Sequence, residues 1–158
     1  DAPVLDWAEV VRAVALDLAP LIAERQLDFS LDTQPAPVRA HEWALRELTR
    51  NLLHNAIKHT PAGAALAVRL AGDAEAVELT VSDSGPGIPA AQRERLFQPF
   101  ATDHRAAPSS AGSGLGLAIC REIVQSLGGQ IELDNRTDGG SVRGLDATVR
   151  LPLIPATA

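Results

Sequence analysis

The sequence predicts a two-layer α/β sandwich, a mixed sheet with helices packed on one face and built on one core. Segments alternating with period 2 are interleaved along the chain with segments of helical period, not segregated from them. No internal repeat or domain boundary interrupts the 158 residues, so residues 1–158 are expected to form one domain. The 46% hydrophobic content suffices for a sizeable core, and with only 3% aromatics that core must rest on Leu, Val, Ile and Ala.

Asp6 followed by Glu9 has the form of a capping box, after which Val11, Val14, Leu18 and Leu21 continue at helical spacing. That helix is expected to reach about Gln26, with Pro20 kinking it or splitting it in two. LDFSLD (27–32) alternates as a half-buried strand, and PVRA (37–40) reads as another short one. A second helix should run from about His41 to Thr60, stopped by Pro61 and Gly63. ALAVRLAG (65–72) and AVELTVSD (76–83) read as two strands joined by a turn around Gly72-Asp73. GPGIP (85–89) is a turn, followed by a short helix through Arg93–Leu96. Residues 101–113, rich in Ala, Ser, Pro and Gly, read as a mobile loop. A helix from about Leu115 to Leu127 should end at Gly128-Gly129 in a left-handed cap, and QIELDN (130–135) and LDATVRLP (145–152) read as closing strands.

The net charge of −6 argues against a general nucleic-acid surface, which needs clustered Lys and Arg. A bound polyanion would need a local, preorganised site with a metal to offset its charge. One cysteine, Cys120, rules out an internal disulfide framework, fits a reducing compartment, and falls in an apolar helical pattern that predicts burial. No apolar run approaches the ~20 residues that span a bilayer, and no signal peptide opens the chain. The lack of any Met, an initiator included, is expected of a fragment of something longer.

Four motifs carry the chemistry. Glu47, Asn51, Asn55 and Lys58 recur at intervals of four, four and three in ELTRNLLHNAIKHT, which puts them on one helix face with Leu45, Leu48, Leu52 and Ala56 opposite. Asn is roughly 0.5 kcal/mol worse than Ala inside a helix, so two of them there sacrifice stability; a solvated polar face is the plain alternative. DSGPGIP (83–89) follows a strand, with Asp83 able to accept a hydrogen bond from an exocyclic amine and Gly85 and Gly87 allowing close backbone approach; alone, it reads sooner as an ordinary turn with an Asx cap. LFQPFAT (96–102) contributes Phe97 and Phe100, as anchors of the loop base or as simple core packing. GSGLGLAI (112–119) places Gly112, Gly114 and Gly116 where a loop becomes a helix, so that its backbone N–H groups suit an anion. This is neither a P-loop, lacking the Lys-Ser/Thr, nor the dinucleotide fingerprint, since a long loop and not a strand precedes it; a flexible hinge is the plain alternative.

The ordered set of all four resembles the catalytic ATP-binding domain of sensor histidine kinases, in which they are the N, G1, F and G2 boxes. That superfamily includes DNA gyrase, a heat-shock chaperone and mismatch-repair ATPases. The resemblance covers nearly the whole chain, the opening segment included, and implies the Bergerat ATP-binding fold. By resemblance, Asn51 coordinates Mg²⁺ bridging the phosphates of ATP, and Asn55 and Lys58 contact phosphate oxygens directly or through the metal. Asp83 takes the adenine amino group, and Gly85 and Gly87 shape the purine pocket, with Ile88 and Phe100 among the nucleotide-binding positions. Residues 101–113 are the lid, and Gly112, Gly114 and Gly116, with Ser113, Leu115 and Leu117 between and beside them, close over the phosphates. Glu47 matches the superfamily's general base; where an imidazole attacks, already nucleophilic when neutral, only orienting or polarising it is the other reading.

The implied function is transfer of the γ-phosphoryl of Mg-ATP to a histidine on a separate, upstream dimeric helical domain. A response regulator receiver domain is the further partner, and the implied setting is the cytoplasmic portion of a membrane-anchored sensor, with no direct membrane contact and no nucleic acid. A serine protein kinase of the anti-sigma-factor type, or a non-catalytic nucleotide-sensing docking module, are the alternatives on the same boxes. The phosphoacceptor box itself is missing: His41-Glu42 has its His-acid start without the Arg, Thr and Pro that continue it. His54 reads as solvated or supporting Asn51, and His59 as packed above the purine pocket. Arg105 in the lid has the reach for a γ-phosphate, although a solvated loop cation is the plainer reading of it and of His104. Leu145 stands about where several members carry a Thr that helps bind adenine through water. The F box is closer to its Pro-Phe-x-Thr version than to Phe-Tyr-Arg, which leaves the subfamily open.

Overall fold

Alternation along the strands decides which face of the sheet is covered. In the computed structural model, which describes residues 2–87 and 116–154, a five-stranded sheet has the order β2-β4-β5-β7-β6. Its strands are β2 (Asp28–Thr33), β4 (Ala65–Gly72), β5 (Ala76–Asp83), β6 (Gln130–Asp138) and β7 (Ser141–Pro152). β2 pairs with β4 in parallel and every other pair is antiparallel, so the sheet is mixed. The inward positions Leu66, Val68 and Leu70 of β4, Val77, Leu79 and Val81 of β5, and Leu145, Ala147, Val149 and Leu151 of β7 are all buried. They meet three helices: α1 (Trp7–Glu24), α2 (Glu42–His59) and α3 (Gly116–Ser126). The central helix α2 packs on α1, α3 and β5. β1 (Val4–Asp6), which leads directly into α1, forms a separate small antiparallel ladder with β3 (Pro37–Arg39).

The elements follow from local chemistry. Asp6 caps α1 by accepting the Ala8 N–H at 3.0 Å, and the same Oδ1 accepts the Ala36 N–H at 2.8 Å. Pro20 does not split α1, contrary to one of the two outcomes expected of it. Pro20 and the residue one turn earlier, Leu16, both lie on the solvent side, where water can satisfy the carbonyl that Pro20 cannot serve. The helix stops at Glu24, short of Gln26, in a Schellman motif: Gln26 sits at φ 55°, and Leu27 N–H reaches back to Ile22 O at 3.1 Å. α3 ends the same way, with Gly128 at φ 75° and Gly129 N–H donating to Val124 O at 3.0 Å, as the Gly-Gly pair predicts. The closing strands are longer than expected, because Gly139 and Gly140, both at positive φ, turn β6 directly into β7 as a two-residue hairpin loop. The short helix expected at 93–96 lies outside the described residues.

The β4–β5 turn carries a pH-dependent contribution. Asp73 accepts the N–H groups of Glu75 and Ala76 at 2.8 and 2.9 Å and pairs with Arg150 at 3.1 Å. These donors, the Glu75 amide foremost, lower its carboxyl from the ordinary 3.8 to about 2. A carboxyl with a depressed folded value favours the fold above its unfolded pKa, and the contribution fades as pH falls from 3.8 towards about 2. Acid titration followed by circular dichroism should therefore show a shallower loss of structure across that window in Asp73→Asn than in the wild type. Identical slopes would refute the assignment.

Candidate functional site

α2 brings together the polar residues that spacing placed on one face. Leu45, Leu48, Leu52 and Ala56 are buried, while Glu47 is exposed and Asn51, Asn55 and Lys58 are half-buried along the opposite side. Asn51 Nδ2 donates to Glu47 Oε1 at 3.3 Å, one helical turn back. Its Oδ1 faces α3: a Cβ built at Gly116 would lie 3.5 Å from that oxygen. The start of a helix, with its partial positive charge, thus meets an amide oxygen directly across the gap between α2 and α3. Cys120, one turn into α3, donates to Leu48 O at 3.7 Å and locks the two helices together. Burial, with Glu47's charge second, pushes its thiol up to about 12, so it is a packing group and not a nucleophile. Leu117 is buried beside it.

Magnesium prefers oxygen ligands and retains water and substrate phosphates around one or two protein oxygens. Among the described residues no group of three or more His, Cys, Asp or Glu comes together to cage an ion. A single oriented amide oxygen, its nitrogen engaged by Glu47, fits a magnesium held mostly by phosphate and water.

The other end of the site lies about 12 Å further along α2, at the 1.5 Å rise per residue between Asn51 and His59. Asp83 closes β5 and is 2% exposed, and its Oδ1 accepts the N–H of Gly85 at 2.9 Å and of Leu145 at 3.2 Å. Gly85 is pressed against α2: a Cβ there would come 2.5 Å from the His59 carbonyl oxygen. Gly87, at φ 76°, would place a Cβ 2.5 Å from Asn135 Oδ1 and 2.6 Å from Val142. Gly85 is therefore required by contact with the α2 backbone, and Gly87 by its left-handed φ. His59 is buried beside them, and its carbonyl forms part of this wall. His54 projects on the exposed side, where desolvation, then Lys58 and Arg50, lowers its imidazole below the ordinary value and favours the neutral form.

Two further residues complete this end: Leu145, noted in the sequence as standing where several members carry a Thr, and Arg136, which no motif marks. Leu145 pairs with Asp83 in register and contributes its backbone N–H, its side chain being buried in the core. Arg136 on β6 donates from Nη2 to the Asp83 carbonyl oxygen at 2.7 Å and from Nη1 to Asp146 Oδ1 at 2.6 Å. It does so across Gly144, whose missing Cβ would otherwise collide with Asp83 O and Arg136 Nη2. Gly144 falls just ahead of the expected strand 145–152 and lies inside β7 only because the structure extends that strand back to Ser141, so its close approach was not legible in the sequence. Ile88, Phe97, Phe100, His104, Arg105, Gly112, Ser113, Gly114 and Leu115 lie outside the described residues. No helix among the described residues is long and apolar enough to cross a membrane.

Residues 40–155 match the family described as histidine kinase-, DNA gyrase B-, and HSP90-like ATPase. The adaptive-response sensory kinase SasA of Synechococcus sp. (strain JA-3-3Ab) is 36% identical over 137 residues, covering 85% of this chain and 36% of the relative. The chain therefore spans little more than a third of that protein. Among solved structures, the mycobacterial sensor histidine kinase MprB superposes with a TM-score of 0.83 at 30% identity, covering 98% of this chain and 99% of the other. Full-length ShkA, solved in complex with AMPPNP, superposes at 0.82 with 25% identity, covering 100% of this chain and 32% of that one.

Proposed function

Because this chain belongs to the histidine kinase-, DNA gyrase B- and HSP90-like ATPase family, we propose that it is the ATP-binding catalytic domain of a sensor histidine kinase. Its substrate is Mg-ATP, and the acceptor is a histidine on a separate dimeric helical domain. The whole of residues 1–158 acts as that one domain. A response regulator receiver domain takes the phosphoryl group onward, and the parent protein holds this domain on the cytoplasmic side of a membrane-anchored sensor. The observation that carries the reading is the line of groups along α2: Asn51 opposite the start of α3 at one end, and the buried Asp83 behind Gly85 and His59 at the other.

Each residue has a part that its chemistry suits. Asp83, its Oδ1 anchored by two main-chain N–H groups, recognises the amino group of adenine; Gly85 and Gly87 keep the wall thin enough for the ring, and His59 backs it. Asn51 offers its oxygen to magnesium, while Asn55 and Lys58 reach phosphate oxygens. Gly116 and Leu117, with Gly112, Ser113, Gly114 and Leu115, present main-chain N–H groups to the phosphates. Ile88, Phe100 and Arg105 are assigned nucleotide contacts on the family resemblance alone. Glu47, held by Asn51, orients or polarises the incoming imidazole. Magnesium supplies charge neutralisation on the transferring phosphoryl group, so the protein's task is positioning. ShkA, bound to AMPPNP, is a precedent for nucleotide binding on this fold.

Mixing the chain with its helical partner domain and γ-labelled ATP tests the proposal. Acid-labile label on a histidine of that domain is the expected result. Acid-stable label on serine would instead make it a serine kinase, and nucleotide binding without any label a docking module.

A further inference from the structure

The geometry points to Arg136 as a positioning residue that fixes base selectivity by locking the backbone on which Asp83 is held, an inference that rests on Asp83 recognising the base. The direction of the Asp83 carboxylate depends on two main-chain segments: the end of β5, which carries it, and β7 at Leu145, whose N–H holds Oδ1. One planar guanidinium ties those segments together. Nη2 binds Asp83 O at 2.7 Å, and Nη1 binds Asp146 Oδ1 at 2.6 Å and Leu145 O at 3.4 Å. Asp146 alternates with the buried Leu145 and Ala147, and Arg136 lies at odd spacing from the buried Leu133, so the brace lies on the sheet face away from the helices.

Three features make this a built device and not a chance surface pair. Gly144 leaves a slot that any side chain would close on Asp83 O and Arg136 together. The register of β6 against β7 shifts at Arg136/Thr137, which re-aims the strand at the point where the side chain must reach across its neighbour. Only Arg carries a rigid fork able to hold a carbonyl and a carboxylate at once; a Lys ammonium is a single point of charge. A shift of a few tenths of an ångström in either strand would misdirect a carboxylate whose two N–H partners are main-chain groups, whereas phosphate contacts on α2 and α3 would be untouched.

Titration calorimetry with Mg-ATP and Mg-GTP on the intact chain tests this. Arg136→Gln should lose about fivefold to tenfold in ATP affinity with little change for GTP, so that the preference for ATP shrinks by that factor. Asp146→Asn, which releases the other end of the fork at a partly exposed position, should shift the preference in the same direction by less and remains informative if Arg136→Gln does not fold. Arg136→Lys should recover only part of the loss. In an Asp83→Ala background, Arg136→Gln should add nothing further, because Arg136 acts through Asp83. An undiminished ATP preference in both Arg136→Gln and Asp146→Asn, or a full additive loss in the Asp83→Ala background, would overturn the inference while leaving the ATP-binding reading standing. Failure of the wild type to bind either nucleotide would overturn both.

Discussion

Asn51→Ala should abolish magnesium-dependent ATP binding, a loss on the order of a hundredfold or more, with the fold intact. Asn51 is half-buried on the polar side of α2, and its recorded hydrogen bond is the 3.3 Å contact to Glu47. Truncation therefore opens no core cavity, and Ala is the better helix former by roughly 0.5 kcal/mol. Binding loses an oriented oxygen that faces the start of α3. Calorimetry with and without magnesium reads the first effect, and thermal melting reads the second. An unchanged Mg-ATP affinity would contradict the metal assignment; a melting point that collapsed would show Asn51 to be structural.

Trp7→Ala has the largest expected effect on stability. Trp7 is fully buried, and its indole N–H donates to Thr49 Oγ1 at 3.0 Å, while Thr49 in turn donates to Leu45 O at 2.7 Å. The side chain thus fastens the start of α1 to the middle of the helix that carries the site. Removing it should cost about 3–5 kcal/mol, a large share of the 5–15 kcal/mol by which a typical domain is stable. Trp7→Phe keeps most of the volume and loses the hydrogen bond, for about 1 kcal/mol. Urea denaturation measures both. Trp7 precedes the family match, which begins at residue 40. A cost near zero would mean that the opening segment is not part of the same cooperative unit.

Most of the architecture could be read in advance where periodicity was strong. The strands 65–72 and 76–83 fall where alternation put them, and α2 runs one residue inside each expected end, because its Leu stripe and the Pro61-Gly63 stop agree. Boundaries slipped where a cap or turn overrode the pattern. α1 ended two residues early because Gln26 accepted a left-handed conformation more often given to Gly, and β6 and β7 lengthened because the Gly139-Gly140 turn pairs residues with no apolar alternation of their own. The continuity of α1 through Pro20 depended on which side of the helix faced water, a tertiary property.

At the site, local spacing was enough to align Glu47, Asn51, Asn55 and Lys58 and to mark Asp83 at a strand end, since helix and strand periods relate neighbours in the chain without reference to anything else. Spacing had nothing to say about partners distant in the chain. That Asn51 meets Gly116, that Gly85 abuts the His59 carbonyl, and that Arg136 reaches through Gly144 to Asp83 are contacts between residues 26 to 65 positions apart. The last depends on the strand order that sets β7 between β5 and β6, and the first two on how α2 packs against α3 and the end of β5. Chain-local chemistry determined the inventory of reactive groups and the faces they occupy; only close packing of the two layers decided which of them touch.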